Sequence, residues 1–489
     1  MPFDPNCMLR IVDGKLTDEN YPDLVKRRIE AGDTPVVLHF HGGLVPSKDW
    51  PDHAEKLRSV YEKDDACRAI FPVWHTGIGD VLPQVLDTWT RDTFFDHALK
   101  YLEGFFQTFA PDSHKKRSIS RDVTGLLNLP SETLTAVELE ISGTGAEKEA
   151  KQIREALSSI DKERELDNAW EEVLTAYREK TKGSEANRLS TEPSVRVSQD
   201  IVKDALEETG NVELKAKRPL GATSMTLALL LTRTLRGIYN RFRDGTHHGL
   251  HATIIEEVLA TFYVGKLGTD IWSEMKWRCL RAFTPQGQGY AGEFLFDLFD
   301  NLKPGRRIVL IGHSAGAIFI SRLLSVWRES GRDINRFEVI FLAPAVRWDV
   351  FYKALDGRPL ENFRLFTMAE SNELASPLLG RKTKAVYPSS LLYLISGLLE
   401  THLDLDGRSG RSAGHPILGL EKFTRANVLN DDDFQEWVRR STALSRTDGQ
   451  GAVGWLNNVL DHGGFDDITV DGNENCVLSS IRHIIQAGF

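Results

Sequence analysis

An α/β fold, a mostly parallel central sheet flanked by helices, is what this sequence predicts, and three observations carry it. Short apolar runs of strand length alternate with amphipathic helical segments, the order that builds parallel sheets. One run, Ile308-Val309-Leu310-Ile311, leads into a glycine-flanked serine and then a helical pattern. A second run, Val36-Val37-Leu38-His39-Phe40, leads into His41-Gly42-Gly43-Leu44. Continuous apolar runs without alternation are the mark of strands buried on both faces.

The elements follow in order. Met8 to Val12 reads as an edge strand, and Asn20 to Ala31 as a helix. The Val36–Phe40 strand is followed by a helix over Asp49 to Glu62 and by the strand Ala69-Ile70-Phe71-Pro72-Val73-Trp74. Alternation stops near Phe109 and resumes near Tyr290. After the serine turn, Ala317, Ile318, Ile320, Leu323 and Leu324 recur at helical spacing. Phe337 to Leu342 and Phe363 to Met368 read as two more strands, and Cys476 to Ala487 as the closing helix.

This organisation divides the chain into an N-terminal part (1–109), a large and mainly helical insertion (110–289) and a C-terminal part (290–489). The stretch from Pro111 to Pro219 holds only two aromatic residues, Trp170 and Tyr177, too few for a large core of its own. Ile153, Leu157, Ile160, Leu166, Trp170, Val173, Leu174 and Tyr177 nevertheless form the stripe of an amphipathic helix or hairpin. Leu220 to Phe283 is richer in Leu, Trp and Phe and is expected to pack against the main body. Three roles are open for the insertion: a lid over the site, a docking platform for a protein partner, or a solvated decoration.

Composition narrows the function classes. The chain has 489 residues, a net charge of -10 and four cysteines, Cys7, Cys67, Cys279 and Cys476. An acidic balance without a basic block argues against non-specific nucleic-acid binding. The cysteines lack C-x-x-C spacing, so neither a zinc site nor a disulfide framework is expected, and reduced thiols fit a reducing compartment. Met1-Pro2-Phe3-Asp4 lacks the basic and apolar regions of a secretory leader. Met225 to Ile238 carries Arg233 and Arg236 and is shorter than the roughly 20 apolar residues of a membrane span. A cytoplasmic protein with no transmembrane segment is the expectation.

The chemistry is expected at the ends of the strands. Gly312-His313-Ser314-Ala315-Gly316 has the form G-x-S-x-G, in which a serine on a tight strand-to-helix turn becomes a nucleophile and the glycines remove colliding side chains. His41-Gly42-Gly43-Leu44 would supply a backbone N–H, from Gly43 or Leu44, to act with that of Ala315 as an oxyanion hole. His41, Gly42, His313 and His75 are the expected pocket-lining residues, His75 because it follows the Ala69–Trp74 strand at the sheet edge where ligands bind. A triad needs an acid after a later strand. Glu370, two residues past the Phe363–Met368 strand, is the first choice, with Glu373 and Asp349 as alternatives. The base must come late in the chain, from His402, His415, His462 or His483. His462 is preferred because Asp461-His462-Gly463-Gly464 is a glycine-rich loop that lets an imidazole reach a serine.

In this order of parts the chain resembles the α/β-hydrolase superfamily, through His41-Gly42-Gly43, Gly312-His313-Ser314-Ala315-Gly316, Glu370 and His462-Gly463-Gly464. The resemblance spans nearly the whole chain except the insertion. It implies an α/β-hydrolase fold and a Ser–His–acid hydrolase acting through an acyl-enzyme on a small-molecule or lipid-like ester, thioester or amide, with neither metal nor organic cofactor. Here the oxyanion loop has two consecutive glycines where many esterases have three, and a glutamate replaces the commoner aspartate. Two alternatives stay open: an acyltransferase or peptidase on the same triad, and a non-catalytic binding or sensor protein that uses the insertion.

Overall fold

The structure, a computed structural model, describes residues 5–17, 21–30, 32–43, 50–74, 76, 246–262, 268–284, 290–376, 387–400, 414–425, 431–444, 461–470 and 472–489, with isolated positions between them. The amphipathic stripe of residues 153–177, Leu44 and His75 lie outside the described residues.

The strands are β1 (Met8–Val12), β2 (Lys15–Leu16), β3 (Val36–Phe40), β4 (Arg68–Trp74), β5 (Ile308–His313), β6 (Glu338–Leu342) and β7 (Phe363–Thr367). Two short strands, β8 (His402–Leu403) and β9 (Ser409–Gly410), form a separate hairpin before β10 (Thr442–Leu444). The main sheet has eight strands in the order β2-β1-β4-β3-β5-β6-β7-β10. All its neighbours are parallel except β1 and β2. Every residue of β3 and β5 is buried, as a pair of central strands covered on both faces requires. β1 is not the edge expected of it: β2 pairs with it antiparallel and takes that place. β10 forms the other edge. Its three residues are too few to give a periodic signal.

The helices are α1 (Tyr21–Glu30), α2 (Trp50–Tyr61), α3 (Leu250–Phe262), α4 (Gly268–Ala282), α5 (Ala291–Asp300), α6 (Gly316–Glu329), α7 (Trp348–Ala354), α8 (Glu370–Ala375), α9 (Leu391–Leu394), α10 (Glu421–Arg425), α11 (Asp432–Ser441) and α12 (Cys476–Ala487). α6 lies on β5 and β3, with Phe319 stacked on Phe40 at 4.9 Å between ring centroids. The last helix is tied to the sheet by Arg307 at the start of β5. Its guanidinium makes a two-pronged ion pair with Glu338 (2.7 and 2.6 Å) and donates to the carbonyls of Ile484 and Ile485 in the last turn of that helix.

Register places the site. β3 pairs with β5 from Val36↔Ile308 to Phe40↔Gly312, so the carboxyl ends of the two strands lie side by side. Beyond them the chain diverges: β3 leads to β4 on one flank, and β5 leads to β6 on the other. Such a switch point opens a crevice at the carboxyl edge of a parallel sheet. His41-Gly42-Gly43 and Ser314 both emerge there.

Candidate active site

Ser314 sits at the point where β5 ends and α6 begins, with φ of 50°. That left-handed conformation is costly for a residue with a Cβ, roughly 1–2 kcal/mol, and its surroundings hold it in place. Its N–H donates to the Leu342 carbonyl (2.9 Å), while its carbonyl accepts from Ala345 (2.9 Å) and Ala317 (3.2 Å). The two glycines of the motif have distinct reasons. A Cβ on Gly312 would come 2.9 Å from both Ala317 N and Ile320 Cδ1, against the start of α6. A Cβ on Gly316 would come 2.1 Å from the Phe40 carbonyl oxygen, against β3. The glycines let the helix start within contact of two strands at once.

His462 meets the serine. Its Nε2 is 2.9 Å from Ser314 Oγ, and both side chains are buried. The expected glycine-rich loop is a 3₁₀ turn, His462–Asp466. Asn475 braces it by donating from Nδ2 to the carbonyls of Gly464 (3.0 Å), Phe465 (3.3 Å) and Asp467 (2.7 Å). Burial first, and then the neighbouring His313 charge, bring the His462 pKa down to about 3, against a smaller opposing pull from Asp466. The ring is therefore neutral at ordinary pH, the state a base needs before it accepts a proton.

The glycine loop approaches Ser314 closely: a Cβ on Gly42 would lie 3.1 Å from Ser314 Cβ. His41 sets the loop's orientation. Its Nδ1 donates to the Gly42 carbonyl at 2.6 Å, and its Nε2 accepts from Trp74 N–H at 3.3 Å, which fixes a neutral ring. Burial pulls its pKa down to about 4, the Gly42 contact opposing. Because a trans peptide sets N–H opposite C=O, the bond to Gly42 turns the Gly43 N–H away from His41. Ala315 is the residue before the first turn of α6, where the helix dipole favours negative charge.

None of the three expected acids is joined to His462, whose buried Nδ1 has no hydrogen-bond partner among the described residues. Glu370 opens α8, where its N–H donates to the Glu421 carboxylate (2.6 Å) and its Oε1 accepts from Tyr393 (3.4 Å). Asp349 opens α7 and is paired with Arg347 at 2.8 and 2.6 Å. Burial would raise its pKa, but that pairing lowers it overall. Glu373 is fully buried, and among the described residues no group lies in good hydrogen-bond geometry to either carboxyl oxygen, the Ser390 hydroxyl being its nearest polar influence. Burial pushes its pKa up to about 8, against a smaller pull from the Ser390 hydroxyl. Of the other late histidines, His483 is exposed on α12 and His415 is buried, its carbonyl accepting from Ser396 (2.6 Å).

Glu373 has a consequence for stability. Its native pKa of about 8 lies above the unfolded carboxyl's 4.5, so between those values the native state holds a proton that the unfolded state has lost. Stability must then fall as pH rises from about 4.5 to 8, by a few kcal/mol at most. Glu373→Gln, which cannot ionise, is expected to flatten this slope and to be the more stable form at pH 8 in denaturant titrations. An equal slope in both proteins would remove the carboxyl as its cause.

The acid that does stand beside the dyad is Asp466, four residues beyond His462 in the same turn. Its Oδ2 is 2.9 Å from His313 Nδ1 and 3.7 Å from His39 Nε2, and its Oδ1 is 3.4 Å from His53 Nε2. His313, expected to line a pocket, instead has both ring nitrogens engaged within the protein, Nε2 lying 3.0 Å from the His462 carbonyl. Sequence reading passed over Asp466, His39 and His53. A histidine in the otherwise apolar run Val36–Phe40 was the one available signal, because a buried imidazole needs a polar partner. Among the described residues no cluster fits a metal ion, none of the four cysteines is in a disulfide, and no helix is long and apolar enough to cross a membrane. Comparison with protein-family models, curated proteins and solved structures gives no match to this chain.

Proposed function

We propose that the protein is a serine hydrolase of the α/β-hydrolase type, in which Ser314 attacks an ester-type carbonyl and His462 takes its proton. The observation that carries this reading is the 2.9 Å contact between Ser314 Oγ and His462 Nε2, with the serine held at φ 50° on a strand-to-helix turn. Support comes from the sheet order, which sets β5 beside β3 at a switch point, and from the glycine loop packed against the serine.

In this reading Ser314 forms the acyl bond as its proton passes to His462 Nε2. The negative charge on the former carbonyl oxygen is met by the N–H groups of Ala315 and Gly43, and His462 then hands its proton to the leaving group. Water repeats the cycle and releases the acid. An ester, thioester or lipid-like substrate is favoured over a peptide on family frequency alone, and transfer to an alcohol or amine acceptor uses the same steps. Four cysteines without a disulfide are in keeping with a cytoplasmic setting. The helical insertion, whose described parts include α3 and α4, is read as a lid or docking surface.

A second reading, a non-catalytic binding protein on this fold, is favoured by one observation: among the described residues no carboxylate stands on His462 Nδ1. Both are tested by treating the protein with a fluorophosphonate and measuring intact mass. One adduct on the wild type, absent from Ser314→Ala, is the expected result; a wild type that takes no adduct at any pH would leave the binding reading in its place.

A further inference from the structure

His313 is a residue the hydrolytic scheme does not use, yet it touches both ends of the turn that carries the base. It precedes Ser314 directly, its side chain is buried, and its ring centroid lies 5.5 Å from that of His462. Nε2 faces the His462 carbonyl oxygen at 3.0 Å, and a carbonyl only accepts hydrogen bonds, so this nitrogen must carry a proton. Nδ1 faces Asp466 Oδ2 at 2.9 Å, and an ionised carboxylate also only accepts. With two acceptors, both nitrogens must donate. A ring that donates from both is an imidazolium.

We propose that His313 is a positioning residue: held as an imidazolium with Asp466 as counter-ion, it clamps the main chain of His462 so that the base stays in register with Ser314. The inference rests on the serine-hydrolase reading above. One residue thereby joins the start of the 3₁₀ turn, through the 462 carbonyl, and its end, through the 466 carboxylate, to the strand that ends in the nucleophile. A turn with glycine at 463 and 464 has little stiffness of its own, so the clamp supplies what the local sequence lacks.

The surroundings agree in sign. Burial disfavours the His313 cation, but the Asp466 charge and hydrogen bond, the His462 carbonyl and the Asp467 charge together raise its pKa overall. Burial would likewise raise the Asp466 pKa, yet the His313 charge and contacts from His313, His39 and His53 hold it well below the usual carboxylate range. The groups facing this pair are Asp466, Asp467 and His462 from the turn, His39 from β3, His41 from the glycine loop and His53 from α2. His39 and His41 have lowered pKa values, from burial first, so neither competes as a cation at neutral pH. The charge on His313 has a price at His462, whose protonation it opposes, and Asp466 offsets part of it.

The test uses full-length protein labelled with ¹⁵N-histidine, together with fluorophosphonate labelling rates across pH. Expected is one histidine, lost in His313→Gln, with both ring nitrogens protonated at pH 7. Loss of that proton at higher pH should coincide with the alkaline limb of the labelling rate. Asp466→Asn, which removes the counter-ion, should move both to lower pH by at least one unit. If Asp466→Asn does not fold, the coincidence of the two titrations in the wild type decides alone. A neutral His313 ring at pH 7, or an alkaline limb that does not follow its titration, overturns the clamp while leaving a labelled Ser314 and the hydrolase reading intact. A wild type that never labels removes that reading, and the positioning role with it, whatever the ring's charge.

Discussion

If the protein is the serine hydrolase proposed above, His462→Ala is expected to lower turnover by about three to six orders of magnitude while leaving the fold in place, because a nucleophile and its base act as a unit. The mutated side chain makes its polar contact with Ser314 Oγ, and the turn beneath it stays braced by Asn475 and by His313 through the 462 main chain. Far-ultraviolet circular dichroism and a melting curve check the fold; steady-state hydrolysis of an activated ester checks turnover. Glu370→Gln is the matched control. Its carboxylate meets Tyr393 rather than the imidazole, so its turnover is expected to match the wild type. Near-normal activity in His462→Ala would eliminate the base, and a Glu370→Gln loss of comparable size would restore the glutamate as triad acid. The acid limb of kcat/KM supplies a further check. With the His462 pKa brought down to about 3, the base stays neutral far below the pH at which an ordinary imidazole would be protonated, and activity should persist there.

Gly316→Ala is expected to produce the largest loss of stability of any single methyl group at the site. The added Cβ would fall 2.1 Å from the Phe40 carbonyl oxygen, 2.8 Å from its carbon and 3.0 Å from its Cβ. These are atoms of a fully buried central strand, not the end of a flexible side chain, so relief requires α6 to move away from β3. Overpacking of this kind costs typically 1–3 kcal/mol, and a backbone obstacle puts this case at about 3 kcal/mol or above. Moving α6 would also shift Ser314 relative to His462, so activity should fall with stability. Denaturant midpoints of wild type and variant measure the first, fluorophosphonate labelling the second. A midpoint within experimental error of the wild type would mean that the helix start does not lie as close to β3 as described.

Much of the architecture was legible in the chain because it depends on local pattern. Val36–Phe40, His39 apart, and Ile308–Ile311 are apolar without alternation because they are covered on both faces, and runs of that kind have few other uses. Gly312, Ser314 and Gly316 could be read from spacing, since a turn that tight tolerates almost nothing else at those positions. The closing helix, expected over Cys476 to Ala487, spans those residues, and the structure adds that the Asn475 side chain caps Val477 and Leu478. His462 was legible more narrowly, as a histidine in a glycine-rich segment late in the chain.

The acid was not legible in the same way. Sequence order placed a carboxylate after β7, but Glu421, Tyr393 and the helical start of α8 determine where Glu370 points, and these contacts come from distant parts of the chain. The edge strand β10 and the demotion of β1 from edge to interior likewise depend on which strands meet, not on either segment's composition. The sequence by itself determined the strand-turn-helix around Ser314, the glycine loop and the late histidine, because each is a demand of local geometry. Only the tertiary structure decided which carboxylate stands near the dyad. Asp466 is gathered with His39, His53 and His313 from four separate segments, and a buried charge is tolerated only where folding has brought its partners together.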